Sequence, residues 1–116
     1  IMLVAPNTSK ERILEISKLS RDLIYCVSIL GITGTNSFSQ NDLKLYLDRV
    51  KKNSLTPYVV GFGISTRDDV EKINMMADGA VVGSALINRI NEGKKASKDV
   101  EKFIKELRGE KWKKLE

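Results

Sequence analysis

Four short apolar runs, "IMLVA" (Ile1 to Ala5), "LIYCVS" (Leu23 to Ser28), "YVVGF" (Tyr58 to Phe62) and "GAVVGS" (Gly79 to Ser84), punctuate the chain at wide intervals. Each is five or six residues long and rich in β-branched or aromatic types, which predicts strands rather than helices. Apolar residues occupy both parities of the runs, so the pattern predicts strands buried on both faces, as in a parallel sheet.

Helical periodicity fills the intervals. After the first strand, Asn7 and Thr8 offer caps, Glu11 closes a Thr-x-x-Glu box, and Ile13, Leu14, Ile16 and Leu19 form the apolar stripe. After the second, Ser39 and Asp42 form another box ahead of Leu43, Leu47 and Val50, with Tyr46 beside them. After the third, Ser65 and Thr66 precede Asp68 and Asp69, and Val70, Ile73, Met76 and Ala77 supply the stripe. "ALINRI" follows the fourth strand as a short helix, Gly93 breaks it, and a terminal helix is expected from about Ser97 to Arg108. The order is β-α-β-α-β-α-β-α, with connections long enough for right-handed crossovers between parallel strands.

Two architectures accommodate that order. A doubly wound sheet carries helices on both faces and is complete at this size, whereas a (β/α)8 TIM barrel carries every helix outside and needs twice as many units. Residues 1–116 read as a single βαβαβαβα unit with no linker. Because Ile1 falls within the first strand pattern, the chain is expected to be the C-terminal half of a barrel, incomplete without an N-terminal half.

Composition narrows the chemistry. The chain contains no histidine, which removes imidazole acid/base catalysis, Ser-His nucleophile pairs and His-rich zinc sites. Cys26 is the sole cysteine, and its place in an apolar run predicts a small buried hydrophobe. The net charge of +5 is concentrated in one segment: Lys94 to Lys114 carries nine basic and four acidic side chains. Val100, Phe103, Ile104 and Leu107 recur there at helical spacing, so a solvated lysine-rich helix face accounts for the charge, and no nucleic-acid partner is expected. With no apolar run of membrane-spanning length and no secretory leader pattern, no membrane partner is expected and a cytoplasmic location is.

Candidate chemistry lies at the strand ends. A main-chain amide approaches an anion closely where no Cβ intervenes, and a helix start adds unpaired N–H groups and partial positive charge. Gly61 and Gly63 ahead of Ser65 meet both conditions, and Gly83 with Ser84 repeats them one unit later. Taken singly, each glycine reads more readily as turn geometry than as a ligand contact; in succession they predict the phosphate site of the last two units of a barrel. There is no Gly-x-x-x-x-Gly-Lys-Ser/Thr or Gly-x-Gly-x-x-Gly pattern for a nucleotide. The longest irregular stretch, "GITGTNSFSQN" from Gly31 to Asn41, is polar and glycine-bearing, as functional loops are.

"LVAPNTSKERI", "YCVSILGITGTN", "PYVVGFGIST" and "DGAVVGSALI" together resemble, in order and spacing over about residues 1 to 92, the C-terminal half of the tryptophan synthase alpha subunit. The resemblance implies a (β/α) barrel that cleaves indole-3-glycerol phosphate to indole and glyceraldehyde 3-phosphate. Indole then passes to a pyridoxal-phosphate-dependent beta subunit, while the alpha subunit itself uses no cofactor and no metal. Position by position, it implies that Gly34, Gly63, Gly83 and Ser84 hold phosphate, that Tyr25, Phe62 and Ile64 line the indole pocket, and that Thr33 meets a catalytic carboxylate on loop closure. Core aromatics remain the alternative for Tyr25 and Phe62, and a turn hydroxyl for Thr33. Thr35 and Asn36 stand where the family usually reads Ala-Arg.

The family's glutamate and aspartate belong to the N-terminal half, so the resemblance implies no catalytic residue in this chain, and Asp68, Asp69 and Asp78 are poorly placed to replace them. The isolated chain is expected to hold phosphate weakly and to be inactive. Its inward sheet face needs covering, by the N-terminal half or by a second copy. A stand-alone or engineered self-associating half-barrel module is the alternative function.

Overall fold

The computed structural model describes residues 1–28, 39–61, 63–92 and 96–110. Nine elements follow one another: β1 (Met2–Val4), α1 (Lys10–Leu19), β2 (Ile24–Val27), α2 (Gln40–Asn53), β3 (Tyr58–Gly61), α3 (Arg67–Asn74), β4 (Gly79–Val81), α4 (Ser84–Glu92) and α5 (Ala96–Leu107). All strand pairings are parallel, in the order β1-β2-β3-β4.

That order decides between the two architectures. Sequential parallel strands joined by right-handed crossovers place every helix on the same face of the sheet. In the register Met2 aligns with Ile24 and Tyr58, and Val4 with Cys26, Val60 and Ala80. Val4, Ile24, Cys26, Tyr58 and Val60 share one buried cluster with Ile13 and Ile16 of α1, Leu43, Tyr46, Leu47 and Val50 of α2, and Ile73 of α3. The helices therefore cover one face, as in part of a barrel, and the doubly wound reading is set aside.

The opposite parity corrects the expectation of strands buried on both faces. Leu3, Tyr25, Val59 and Gly79 align across the second face, as do Val27, Gly61 and Val81. Leu3 is 60% exposed on it. The apolar pattern of the runs thus records a face that is covered only when further structure closes over it.

The helix starts follow local chemistry. At α2 the Ser39 hydroxyl accepts from the Asp42 N–H while the Asp42 carboxylate accepts from the Ser39 N–H, and Thr66 and Asp69 repeat this box at α3. At α1 the cap is Ser9, whose hydroxyl accepts from the Arg12 N–H at 3.2 Å, and not Asn7 or Thr8. Thr8 is diverted because its hydroxyl accepts from the Ala5 N–H and closes the preceding turn. The α1 stripe shifts as well: Ile13, Ile16, Ser17 and Ser20 are buried at i, i+3, i+4 and i+7, while Leu14 and Leu19 point outward. Ser17 displaces the leucines because its hydroxyl accepts from the Leu55 N–H after α2.

Acid should weaken the α3 cap. Burial pushes the Asp69 carboxyl up, but hydrogen bonds from the Ser65 and Thr66 N–H groups and hydroxyls outweigh it, leaving its pKa below the usual carboxylate value. A depressed folded pKa gives a contribution present above the unfolded value of about 3.9 and lost as pH falls through the folded one. The carboxylate is mostly solvated, so its share is about 0.5 kcal/mol. Thermal melts from pH 6 down to pH 2 should show a smaller acid loss in Asp69→Asn than in the unaltered chain. Equal acid slopes would contradict this assignment.

Candidate functional site

The two predicted glycine corners leave the sheet side by side. Gly61 pairs with Val81 at the end of the β3–β4 ladder, so Gly63 and Gly83 stand two residues past the last pair on neighbouring strands. Neighbouring strands run about 4.8 Å apart where they pair, so the two corners follow adjacent strand ends. Gly63 has a φ of 71°, in the left-handed region where a Cβ is strained. Gly83 is exposed, and a Cβ built on it meets nothing within 4 Å. No contact within the described residues requires that position to be bare.

The α3 and α4 starts differ in what they offer an anion. At α3 the Asp69 Oδ2 accepts from the Ser65 N–H at 3.0 Å and from the Thr66 N–H at 3.1 Å, with the Ser65 hydroxyl at 3.4 Å. The protein's own carboxylate has taken the Ser65 and Thr66 amides, which corrects the sequence expectation that these two donors are open to a ligand. At α4 the carbonyl of Gly83 accepts from the N–H groups of Leu86 and Ile87, and no acidic residue lies in the first turn. Acidic residues do lie in the first turns of α1, α2, α3 and α5. The amides at Ser84 and Ala85 precede the first intrahelical bond, so they and the Ser84 hydroxyl are the donors the site presents.

Gly61 proves to have another purpose. A Cβ there would lie 1.8 Å from the Tyr25 hydroxyl oxygen and 2.4 Å from Cζ, so the tyrosine ring rests on the bare Gly61 backbone. Gly61 makes room for Tyr25 rather than for an anion. Tyr25 is half-buried on the sheet face away from the helices, near the strand ends that carry the corners. Ile64, by contrast, is buried in the core cluster. Gly34, Thr33 and Phe62 lie outside the described residues.

The other polar groups are committed elsewhere. The Asp78 carboxylate accepts from the Tyr58 N–H at the opposite end of the strands. Cys26 is fully buried, and burial, opposed by a hydrogen bond with Tyr46, pushes its thiol up to about 12, so it is an inert core residue. Burial likewise raises Tyr46, whose hydroxyl donates to the Val4 carbonyl at 3.0 Å. No cluster of potential metal ligands occurs among the described residues, and no helix of the described residues is long and apolar enough to cross a membrane. What the corners can do chemically is hold an oxyanion with main-chain donors and one hydroxyl.

Comparison with known proteins agrees with the fold. The family profile described as tryptophan synthase alpha chain matches residues 1–115. The tryptophan synthase alpha chain of Petrotoga mobilis is 44% identical over 112 residues, covering 93% of this chain and 43% of that protein. That of Bacillus pumilus is 47% identical over 92 residues, 79% of this chain and 34% of the relative. Among solved structures, a mutant tryptophan synthase alpha-subunit from Pyrococcus furiosus superposes with a TM-score of 0.74 at 36% identity, over 93% of this chain and 44% of that one. The chain thus spans less than half the length of these relatives, and its four βα units correspond to half of their TIM barrel. Matched over nearly its whole length, this chain belongs to the tryptophan synthase alpha chain family.

Proposed function

We propose that the chain supplies the phosphate-holding half of a lyase that cleaves indole-3-glycerol phosphate to indole and glyceraldehyde 3-phosphate in tryptophan biosynthesis. The observation that carries the reading is the start of α4, where Gly83 leaves open space and no carboxylate neutralises the first turn, beside the left-handed Gly63 corner. A phosphate accepts hydrogen bonds from the Ser84 and Ala85 amides and the Ser84 hydroxyl, with Gly63 on its other side. Gly34 completes the cup, and Thr33 meets a catalytic carboxylate when its loop closes. Tyr25, with Phe62, lines the indole side, while Ile64, expected there from the sequence, packs in the core instead.

The general acid and base come from an N-terminal half that also covers the exposed face at Leu3 and Val81, and the chain by itself is inactive. Residues 1–116 form one unit that is completed by that half. The completed enzyme hands indole to a beta subunit.

The phosphate contact is tested by titrating glycerol 3-phosphate into isotopically labelled chain and following backbone amides. Saturable shifts are expected at Gly83, Ser84 and Ala85, while Ser65 and Thr66, held by Asp69, stay put. Shifts at Ser65 and Thr66 without any at α4 would contradict the reading.

A further inference from the structure

The two corners are joined along the chain through α3 and β4, and the structure closes a second connection between them on the outside. The substantial packing of α4 is with α5, and the Arg89 guanidinium lies over the Phe103 ring at 4.9 Å to add a cation–π contact between them. α5 in turn stands off the sheet. A cavity of about 270 Å³, lined by Val70, Ala80, Val82, Leu86, Phe103 and Leu107 among others, separates it from β4. One polar attachment of α5 to the rest of the fold lies at its C-terminal end, on the first residue of α3.

That residue is Arg67. Its Nη1 donates to the Leu107 carbonyl at 2.7 Å, and its Nε pairs with Glu71 Oε1 at 3.1 Å, which aims the guanidinium across the gap. A cation at a helix C-terminus satisfies a carbonyl left open by the helix and complements its dipole. The turn that ends α5 is shaped to admit it. Gly109 has a φ of 76°, its N–H donates to the Glu106 carbonyl, and the Glu110 N–H donates to the Lys105 carbonyl. A Cβ on Gly109 would come within 2.9 Å of the Arg67 Cζ.

We infer that Arg67 is a positioning residue for the phosphate site, clamping α5 to the start of α3 so that α5 holds α4 at a fixed distance from the Gly63 corner. The inference rests on the phosphate reading of Gly63 and Gly83 and adds the element that fixes their separation. Arg67 itself touches no ligand; it acts through α5. Two donor groups converge on one phosphate only when their spacing is held, so a loosened α5 weakens binding without removing a donor.

Glycerol 3-phosphate affinity measured on the full 116-residue chain tests this. Arg67→Ala is expected to weaken binding by about three- to tenfold. Arg67→Lys should fall between the two, and Gly109→Ala should weaken binding in the same sense by pushing the guanidinium aside. Ile13→Val, which loosens the core far from the site, should lower the melting temperature and leave the affinity unchanged. Should Arg67→Ala fail to fold, Arg67→Lys and Gly109→Ala decide the matter. Affinities in these variants equal to that of the unaltered chain would overturn the clamp while leaving the phosphate reading intact. An unaltered chain that binds no glycerol 3-phosphate would remove the reading and the clamp together.

Discussion

Gly61→Ala should destabilise the chain by about 1 kcal/mol, the low end of the cost of forcing an extra carbon into occupied space, because what occupies it is the outer end of a half-buried side chain. The added Cβ would fall 1.8 Å from the Tyr25 hydroxyl oxygen and 2.4 Å from Cζ, distances no contact tolerates, so the outer end of the half-buried tyrosine must swing aside. The rescue pattern identifies the cause. Tyr25→Phe removes the nearer atom but keeps Cζ, and so should recover little in the Gly61→Ala background. Tyr25→Ala removes the ring and should recover most of the loss, giving a coupling of about 1 kcal/mol in a double-mutant cycle. Urea melts of the four chains measure it, and additive losses would show that the ring does not rest on Gly61. The same displacement takes Tyr25 out of the place proposed for it beside indole.

How far the sequence could foresee this fold depended on the range of each interaction. The capping box at Ser39–Asp42 joins residues three apart and is where the pattern puts it, while at α3 the pattern offers Ser65 and Thr66 ahead of Asp68 and Asp69 and the structure pairs Thr66 with Asp69. The α1 start was misplaced by one or two residues because Thr8 had a competing partner in Ala5, and its stripe shifted because Ser17 bonds Leu55 across 38 residues of chain. Such partners leave no mark on periodicity. The four strands were legible from their apolar runs, but those runs did not say that one face stays open here; that needed the register and the order of strands.

The candidate site divides in the same way. Gly63 and Gly83 were legible as a pair because both follow strands and precede helices, and the register sets them side by side. Gly61 looks identical to Gly63 in the sequence, yet its bareness serves Tyr25, a neighbour acquired only through the pairing of β2 with β3. Asp69 was visible as a cap, but its consequence was not: a carboxylate that holds the Ser65 and Thr66 amides withdraws those two donors from a phosphate. Arg67 gave no local signal, because its partner Leu107 lies 40 residues away.

The largest effect expected on activity comes from completing the barrel. Three of the chain's carboxylates are committed to caps and turns: Asp42 and Asp69 each hold a helix start, and Asp78 holds the Tyr58 amide. Bond cleavage needs an acid and a base placed against the substrate, contributing about 10²–10⁴-fold each, so the chain alone should show no turnover above background. Mixing it with the N-terminal half of a family member, such as that of Petrotoga mobilis, supplies those groups and covers the face exposed at Leu3 and Val81. In the assembled pair Gly83→Val places a side chain where nothing now stands, so the fold should be unchanged while KM for indole-3-glycerol phosphate rises by about tenfold or more.

Indole release from indole-3-glycerol phosphate, assayed for this chain alone, for the N-terminal half alone and for the two combined, is the most direct measurement of the central claim. Neither half should release indole, and the combination should, with the higher KM in Gly83→Val. A combined sample that assembles into a folded barrel and releases no indole, or one in which Gly83→Val binds substrate as tightly as the unaltered chain, would contradict it.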